Sequence, residues 1–276
     1  MGKNWNDLTR LISTTAINEA YNENKDLIAH FENSKELDEF VFNIRVYNEW
    51  KVLWKVIDEL VDYWVRKIVF INDWSKDDSL EILKEKREQY PKCLMIILSH
   101  TINRGWWAAN KTGYSFIKKY AKELDIKWVV WFDPDGQMDI KDMKTFQEAM
   151  DKHKNADLFL WSRFVKWAKT YDMPTSRRII LWVSKVITRI FYWVKVSDPH
   201  NWYRVYTIDA LKKININADW MHYANEINEQ IALNKLKFVE VPVNIRYTEY
   251  SLWKWQKNSN GWKLGFKMIY EKFFWD

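Results

Sequence analysis

Residues 127–137 read KWVVWFDPDGQ, an apolar run that ends in two aspartates separated by one proline. The apolar part has the length and residue types of a buried β-strand, and the polar end marks the point where the strand leaves the core. Two carboxylates at such a point, Asp133 and Asp135, can share one divalent cation, and hard oxygen ligands favour Mg²⁺ or Mn²⁺. A cation held by so few ligands would complete its shell with a diphosphate. The alternative interpretation is an acidic turn that caps the following helix.

The same arrangement, an apolar strand followed by an amphipathic helix, repeats upstream. Three further apolar runs lie at residues 39–49, 66–73 and 93–100, and each is followed by apolar residues at helical spacing. This alternation indicates an α/β fold with a mostly parallel central sheet flanked by helices. In such sheets, ligands bind beyond the carboxyl ends of the strands. The polar residues at these ends are Asn48, Glu49, Asn72, Asp73, Asn103, Arg104, Asp133 and Asp135.

After residue 150 the alternation is looser. Residues 157–164 and 238–247 are predicted strands, whereas residues 176–193 and 261–274 are predicted helices. Residues 1–38 are polar and rich in Asn and Glu, so they are predicted to form an N-terminal extension. One domain is expected over 39–276.

The composition excludes several classes of protein. With 47% hydrophobic and 29% charged residues, the 276-residue chain can bury a core and is not wholly disordered. One cysteine, Cys93, excludes a disulfide framework and fits a reducing compartment. Neither a secretory signal nor an apolar run long enough to span a membrane is found. The net charge of +6 permits an anionic membrane surface, and no nucleic-acid partner is expected because no nucleic-acid-binding motif accompanies it.

Seven short motifs, taken in order, resemble those of family 2 glycosyltransferases with the GT-A fold. They are VYNE at 46–49, NDWS at 72–75, NRGWWAANKTG at 103–113, DPDGQ at 133–137, WSRF at 161–164, DPHNWYR at 198–204 and YSLWKWQ at 250–256. The similarity runs from about residue 41 to residue 272. It is greatest to the branch that contains dolichyl-phosphate mannose synthase and bacterial polyprenyl-phosphate sugar transferases.

The resemblance implies three groups of functional residues. Those that bind the nucleotide sugar are Tyr47, Asn48, Glu49, Asp73, Asn103, Arg104, Lys111 and Asp133. Those that hold Mg²⁺ or Mn²⁺ are Asp133, Asp135 and Gln137, of which Asp135 is also counted as catalytic. Arginine suits a phosphate monoester because its guanidinium donates two parallel hydrogen bonds. The implied ligands of the acceptor phosphate are therefore Arg163, Arg177, Arg178 and Arg204.

The function that the resemblance implies is transfer of a sugar, with inversion, from a GDP- or UDP-sugar to a polyprenyl (dolichyl-like) phosphate. A lipid acceptor implies a cytoplasmic enzyme that is peripheral on the cytoplasmic face of the membrane. The candidate membrane contact is the helix at 176–196, for which a core helix is the alternative. Two other functions stay open. A soluble family 2 transferase acting on a glycan hydroxyl would use Glu226 as its catalytic base, and a blocked nucleotide pocket would make the chain a non-catalytic scaffold.

One composition value is abnormal. The chain has 19 Trp and 6 Gly, whereas the usual frequency of about 7% would give roughly 19 Gly. The family has glycine or a small residue where this chain has Trp50, Trp74, Trp107, Trp161, Trp202 and Trp255. Glycine is used there for turns with positive φ, or because backbone passes close to a diphosphate. The favoured hypothesis is that UGA, a glycine codon in some bacteria, has been translated as tryptophan, and the alternative is a natural Trp-rich surface. Further candidates are Trp54, Trp64, Trp193, Trp220 and Trp253.

Arg45, the histidines and Cys93 are expected to take no part in binding or catalysis. Arg45 stands where the family commonly has proline, and it is expected to leave the site unaffected. The histidines lack metal-ligand spacing and are expected at the surface or in the core, and Cys93 is expected to be inert. The histidines concerned are His30, His100, His153 and His222.

Overall fold

The computed structural model of the chain describes residues 37–171, 173, 175–191, 194–198, 203–215 and 223–246, together with Ile17, Glu19 and Asn22. Predictions for the remainder of the N-terminal extension, for the motif at 250–256 and for the helix at 261–274 lie outside these residues. So do those for His30, Trp193, Trp202, Trp220, His222, Trp253 and Trp255.

Strands and helices alternate along the chain. The first half contains β1 (Phe40–Val46), α1 (Trp50–Asp62), β2 (Lys67–Asn72), α2 (Ser79–Gln89), β3 (Leu94–Ser99), α3 (Trp106–Tyr120) and β4 (Trp128–Trp131). A 3₁₀ turn (Ile140–Asp142), α4 (Met143–Lys152), β5 (Leu158–Ser162), β6 (Lys169–Tyr171) and α5 (Thr175–Phe191) follow. The last described elements are β7 (Arg204–Thr207), α6 (Ile208–Lys213), α7 (Tyr223–Leu233), β8 (Phe238–Pro242) and β9 (Asn244–Arg246).

Seven strands form one sheet in the order β3-β2-β1-β4-β7-β5-β8. The four strands β3, β2, β1 and β4 are parallel, as are β5 and β8, whereas β7 is antiparallel to both of its neighbours. The short strands β6 and β9 pair separately. The chain first builds outward from β1 through β2 to β3, and it then returns to the other side of β1 for β4. The strand order therefore reverses between β1 and β4, and such a switch point opens a crevice beyond the strand ends.

The core lies on both faces of this sheet. Side chains of β1 alternate between the faces: Phe42 and Ile44 pack with α1 and α4, whereas Val41 packs with α3. Helix α3 lies close to β1 because it carries Gly113 at the contact. A Cβ atom at Gly113 would lie 1.8 Å from Oδ1 of Asn43. Within the described part of the chain, no helix is long and apolar enough to cross a bilayer.

The structure departs from the sequence-based elements in the second half. Strand β7 was not predicted, because it has only four residues and the first of them, Arg204, is the last residue of the DPHNWYR motif. The single strand predicted at 238–247 is broken into β8 and β9, which join different sheets. The helix predicted after the acidic turn begins with a 3₁₀ turn, in which Oδ1 of Asp139 accepts the N–H of Lys141 (2.9 Å).

Candidate active site

The carboxyl ends of three parallel strands are level with one another. The register pairs Val46 of β1 with Asn72 of β2, and Asn72 with Ser99 of β3. The next residue along each strand is polar and begins a loop, and the three are Tyr47, Asp73 and His100. The strand ends thus place the predicted nucleotide residues Tyr47 and Asp73 beside His100, which the sequence had not implicated.

Hydrogen bonds tie the loop after β1 to the loop after β2. The backbone N–H of Asn48 donates to Oγ of Ser75 (3.1 Å), and Oδ1 of Asn48 accepts the N–H of Lys76 (2.9 Å). Next to it, the N–H of the buried Glu49 donates to Oγ of Ser79 (2.9 Å). Asn48 has φ +54°, a conformation that Asn tolerates better than most residues. The VYNE and NDWS motifs therefore form one cross-braced wall.

Asp73 is the most enclosed carboxylate of this wall. Its side chain is 1% exposed, and Oδ1 lies 2.7 Å from Nδ1 of His100. The same oxygen accepts the backbone N–H of Arg104 (2.9 Å), which precedes α3. Asp73 therefore links the ends of β2 and β3 to the start of α3. Arg104 reaches the site through its backbone, in addition to any role of its half-buried side chain.

The DPDGQ turn follows β4 on the other side of β1. Gly136 has φ +75°, and the N–H of Gln137 donates to Oδ1 of Asp135 (3.0 Å). Asp133 and Asp135 are both half-buried. No group of three or more His, Cys, Asp or Glu side chains in the described residues is arranged to hold a metal ion. The predicted set, two carboxylates and the amide of Gln137, fits a cation that takes most of its ligands from elsewhere, because all three supply hard oxygens.

Arg45 interacts electrostatically with carboxylates of the loops after β1 and β2 and with those of the acidic turn after β4. The expectation was that it would leave the site unaffected. Burial lowers the pKa of Arg45, while the negative charges of Asp133, Glu49, Asp73 and Asp135, in decreasing order, act to raise it. Four of the carboxylates predicted from the sequence therefore lie around one guanidinium. That guanidinium stacks on the ring of Trp106, with Cζ 5.2 Å from the ring centroid.

The segment before α3 supplies the next side of the site. Asn103 is exposed, and its Oδ1 accepts the N–H of Gly105 (3.0 Å), which has φ +83°. Lys111 lies half-buried in the second turn of α3. Trp107, one of the tryptophans predicted to stand where the family has glycine, is buried at the start of α3, with its ring centroid 6.2 Å from that of Trp131.

Two of the four predicted phosphate ligands, Arg163 and Arg204, are buried in this structure. Nε and Nη2 of Arg163 lie 2.6 and 2.7 Å from the carboxylate of Asp198, and both side chains are within the core. Arg204 is fully buried on β7 with Cζ 5.4 Å from the ring of Trp131. Neither arginine presents its guanidinium at the surface for a lipid phosphate, because each is held inside by burial that the sequence pattern does not reveal.

The other two predicted phosphate ligands lie in the first turns of α5. Arg178 is exposed, whereas the side chain of Arg177 lies outside the described residues. Glu226 is half-buried in the first turn of α7. Burial raises the pKa of the Cys93 thiol to about 12, which leaves it protonated and unreactive at neutral pH.

The residues that form this site match a family of known proteins. The model of glycosyl transferase family 2 matches residues 43–215, which include the end of β1, the strands β2, β3 and β4, and the acidic turn. The chain belongs to glycosyl transferase family 2.

Two similar proteins carry names that specify a polyprenyl phosphate. The chain is 27% identical to the UDP-N-acetylglucosamine–dolichyl-phosphate N-acetylglucosaminyltransferase of Methanococcus voltae, over 82% of this chain and 93% of that protein. It is 26% identical to the undecaprenyl-phosphate mannosyltransferase of Micrococcus luteus, over 64% and 70%. The family 2 chain is therefore a glycosyltransferase, in the branch predicted from its motifs.

The solved structures confirm the fold. Mannosyltransferase PcManGT from Pyrobaculum calidifontis, in complex with GDP-Man and Mn²⁺, matches with a TM-score of 0.53 at 14% identity. The match covers 88% of this chain and 68% of that one. This likeness bears on the fold alone, and the GT-A fold predicted from the sequence is confirmed.

Proposed function

We propose that this family 2 enzyme transfers a sugar from a nucleotide diphosphate sugar to a polyprenyl phosphate, with inversion and with the help of a divalent cation. The observation that carries the proposal is the convergence of Glu49, Asp73, Asp133 and Asp135 around Arg45 at the switch point of the sheet. The names of the two relatives, both transferases acting on polyprenyl phosphates, support the acceptor class.

The acidic turn is the part of the site that suits a metal ion. Asp133, Asp135 and Gln137 would hold Mg²⁺ or Mn²⁺, as the Mn²⁺ bound by PcManGT supports. When bound, such a cation supplies positive charge opposite the diphosphate leaving group. Arg45 adds a fixed positive charge on the β1 side of the same crevice, where a diphosphate carries its negative charge.

The opposite wall would hold the nucleoside. Glu49 and Asp73 accept hydrogen bonds from its hydroxyl or N–H groups, and Tyr47 supplies a ring at the mouth of β1. Asn103, Arg104 and Lys111 continue from this wall toward the diphosphate, where positive charge is useful. The bracing of the loops at Asn48 and Ser75 keeps these groups in place before the donor arrives, which reduces the ordering cost of binding.

The surface of helix α5 supports the proposal that the acceptor is bound to a membrane. Its outward face is apolar, and the exposed side chains that form it are Ile179, Trp182, Val183, Val186 and Ile190. Arg178, Lys185 and Arg189 recur at i, i+7 and i+11, which places them in one stripe beside this face. An apolar face bordered by a basic stripe suits the surface of an anionic bilayer, with Arg178 near the lipid phosphate. We place this surface on the cytoplasmic face of the membrane.

The acceptor determines whether a base is needed. A phosphate monoester is already an anion and can attack without losing a proton to the enzyme, whereas a glycan hydroxyl needs a base such as Glu226. We expect Glu226→Gln to leave turnover within about twofold of the parent, since a phosphate acceptor needs no such proton transfer. Loss of all turnover in Glu226→Gln would favour the glycan acceptor instead.

The decisive assay supplies UDP-GlcNAc, UDP-glucose or GDP-mannose, each radiolabelled, with Mn²⁺ and undecaprenyl phosphate in vesicles. Label should pass into the organic phase with one of these donors, and only when the lipid phosphate is present. Transfer to a soluble glycan in place of the lipid would overturn the proposal that the acceptor is a polyprenyl phosphate. A chain that binds none of the donors in the presence of Mn²⁺ would be the non-catalytic scaffold.

A vesicle flotation assay tests the membrane contact separately. The double variant Ile179→Ser, Ile190→Ser should reduce flotation with vesicles rich in phosphatidylglycerol. Leu233→Ser provides the control, because Leu233 is similarly exposed on α7. Unchanged flotation of the double variant would show that another occupant, such as a second copy of the chain, covers this face.

A further inference from the structure

His100 makes two side-chain hydrogen bonds that join separate parts of the site. Nδ1 lies 2.7 Å from Oδ1 of Asp73, and Nε2 lies 3.0 Å from Oγ1 of Thr112 on α3. Its backbone N–H donates to the carbonyl of Asn72 (2.9 Å), which fixes the position of the residue at the end of β3. The His100 side chain is 6% exposed. The imidazole thus bridges the end of β2 and the second turn of α3.

The partners of the ring define which atoms carry protons. Nε2 lies within hydrogen-bond distance of the Thr112 hydroxyl, which itself lies 3.0 Å from the carbonyl of Ala108. The Asp73 carboxylate can only accept, so Nδ1 is the donor of that contact. The Asp73 contact is a charge-assisted hydrogen bond because its acceptor is a carboxylate. The charge of Arg45 also interacts with that of Asp73.

This bridge leaves one Asp73 oxygen available. Oδ1 receives both His100 and the N–H of Arg104, which together occupy its two lone pairs. Oδ2 is buried and has no hydrogen-bond partner among the described residues. A buried carboxylate oxygen without a partner is costly, so a ligand that donates an N–H or O–H to it gains affinity.

We propose that His100 is a positioning residue of the donor site: it holds the Asp73 carboxylate in the orientation that offers Oδ2 to the nucleoside. This inference rests on the proposed function, because it takes the crevice to be the nucleotide site. His100 acts through Asp73, so its removal weakens binding of the nucleotide and leaves the sugar-transfer step largely unchanged.

Isothermal titration of UDP and of GDP in the presence of Mn²⁺ tests this role. His100→Gln should weaken the tighter of the two nucleotides by about tenfold or more, which is the usual effect of losing a charge-assisted hydrogen bond. Thr112→Val, which removes only the second partner of the ring, should weaken it less. The control His153→Gln changes an exposed histidine at the end of α4 and should bind as the parent does.

A merely structural histidine would give a different result. It would lower the melting temperature of His100→Gln while leaving the nucleotide Kd unchanged, or lower kcat at saturating donor as much as it raises KM, and either outcome overturns the proposal. A ¹⁵N spectrum of the ring provides a readout that needs no nucleotide: Nδ1 should carry a hydrogen, and a tautomer with hydrogen on Nε2 alone overturns the bridge. Failure of the parent to bind either nucleotide would instead overturn the proposed function.

A second inference comes from the backbone. Six described residues other than glycine have positive φ, and three of them are tryptophans: Trp64 (+69°), Trp74 (+61°) and Trp167 (+77°). Their side chains are 57%, 40% and 78% exposed, so core packing does not explain their presence. A left-handed conformation is unfavourable for a residue with a Cβ atom, because the Cβ atom crowds the backbone.

The local structure at Trp64 shows what the position normally requires. The N–H of Trp64 donates to the carbonyl of Val61, and the N–H of Val65 donates to that of Leu60. This pair of bonds is the Schellman motif that ends α1, with Trp64 at the left-handed position where glycine is preferred. The described glycines Gly105 and Gly136 have similar φ values of +83° and +75°.

We infer that glycine stands at Trp64, Trp74 and Trp167 in the protein as its source makes it, and that UGA codons for glycine have been translated as tryptophan. Sequencing the gene and measuring peptide masses of the protein purified from its source test this. UGA codons with glycine-containing peptides are expected at all three positions. UGG codons, or peptides that contain tryptophan there, would overturn the inference.

Discussion

Two turns at the carboxyl edge of the sheet each contain a residue with positive φ, which is glycine in one turn and tryptophan in the other. The turn after β4 carries Gly136 at φ +75°, and the turn after β2 carries Trp74 at φ +61°. A Cβ atom at Gly136 would meet no atom within 4 Å, so lack of space does not explain the glycine. The turn at Trp74 is shaped by its neighbours, since Oδ1 of Asn72 accepts the N–H of Ser75 (3.2 Å). Hydrogen bonds from neighbouring residues therefore determine the shape of the turn. The left-handed φ determines how much free energy a residue other than glycine loses at that position.

The strongest test of this comparison concerns a tryptophan that is not in a turn. Trp131 is fully buried at the end of β4, with its ring centroid 5.9 Å from that of Trp106 and 6.1 Å from that of Tyr114. Trp131→Gly should lower the free energy of unfolding by about 3–5 kcal/mol, measured by urea denaturation, because it empties a packed volume. A loss as small as that of an exposed tryptophan would break the distinction between turn and core tryptophans.

The second test concerns the chemistry of the turn that has its glycine. Asp135→Asn should reduce kcat/KM by on the order of 100-fold in the lipid-phosphate assay, because it removes half of the carboxylate charge available to the cation. Asp151→Asn, an exposed change on α4, is the matched control. An Asp135→Asn enzyme with full activity and an unchanged response to Mn²⁺ would show that this turn does not hold the metal.

The first half of the fold was predictable from local pattern. Strands buried on both faces appear as continuous apolar runs, and β1 to β4 were found in that way. Strand β7 could not be found, because four residues next to a polar motif carry no periodic signal, and its pairing with β4 and β5 is set by contacts distant in the chain. The break between β8 and β9 at residue 243 was missed because apolar residues continue on both sides of it.

The site was predictable where chemistry sits at strand ends, and unpredictable where it depends on distant partners. Asp73, Asp133 and Asp135 were found because each directly follows an apolar run. His100 was missed since its partners Asp73 and Thr112 are 27 and 12 residues away, and no spacing rule connects them. Arg163 was predicted as a phosphate ligand, and the sequence did not show that Asp198, 35 residues later, pairs with it inside the core.

Substitutions at the positive-φ position of each turn measure the free-energy cost of the left-handed conformation. Gly136→Ala should destabilise the protein by about 1 kcal/mol, since the added Cβ meets open space and only the left-handed φ opposes it. Trp74→Gly should stabilise it by about 0.5–1 kcal/mol, because relief of the same strain exceeds both the entropy of glycine and the exposed contact with Lys76. Denaturation midpoints of both variants, moving in opposite directions, are the expected outcome. Equal movement in one direction would mean that φ does not determine the cost.

The smallest effect gives the clearest change of sign. Trp64 and Trp182 are both exposed, at 57% and 65%, yet Trp64 has φ +69° whereas Trp182 lies within helix α5. Trp64→Gly should raise the free energy of unfolding by about 0.5 kcal/mol, because glycine is the preferred residue at the end of a Schellman motif. Trp182→Gly should lower it by about 0.5 kcal/mol, because glycine weakens a helix interior. Since both variants remove the same exposed ring, hydrophobic exposure predicts one sign for both, and only backbone conformation predicts two. Urea denaturation without lipid therefore separates the two explanations. A change of the same sign in the free energy of unfolding of both variants would favour the hypothesis of a natural Trp-rich surface.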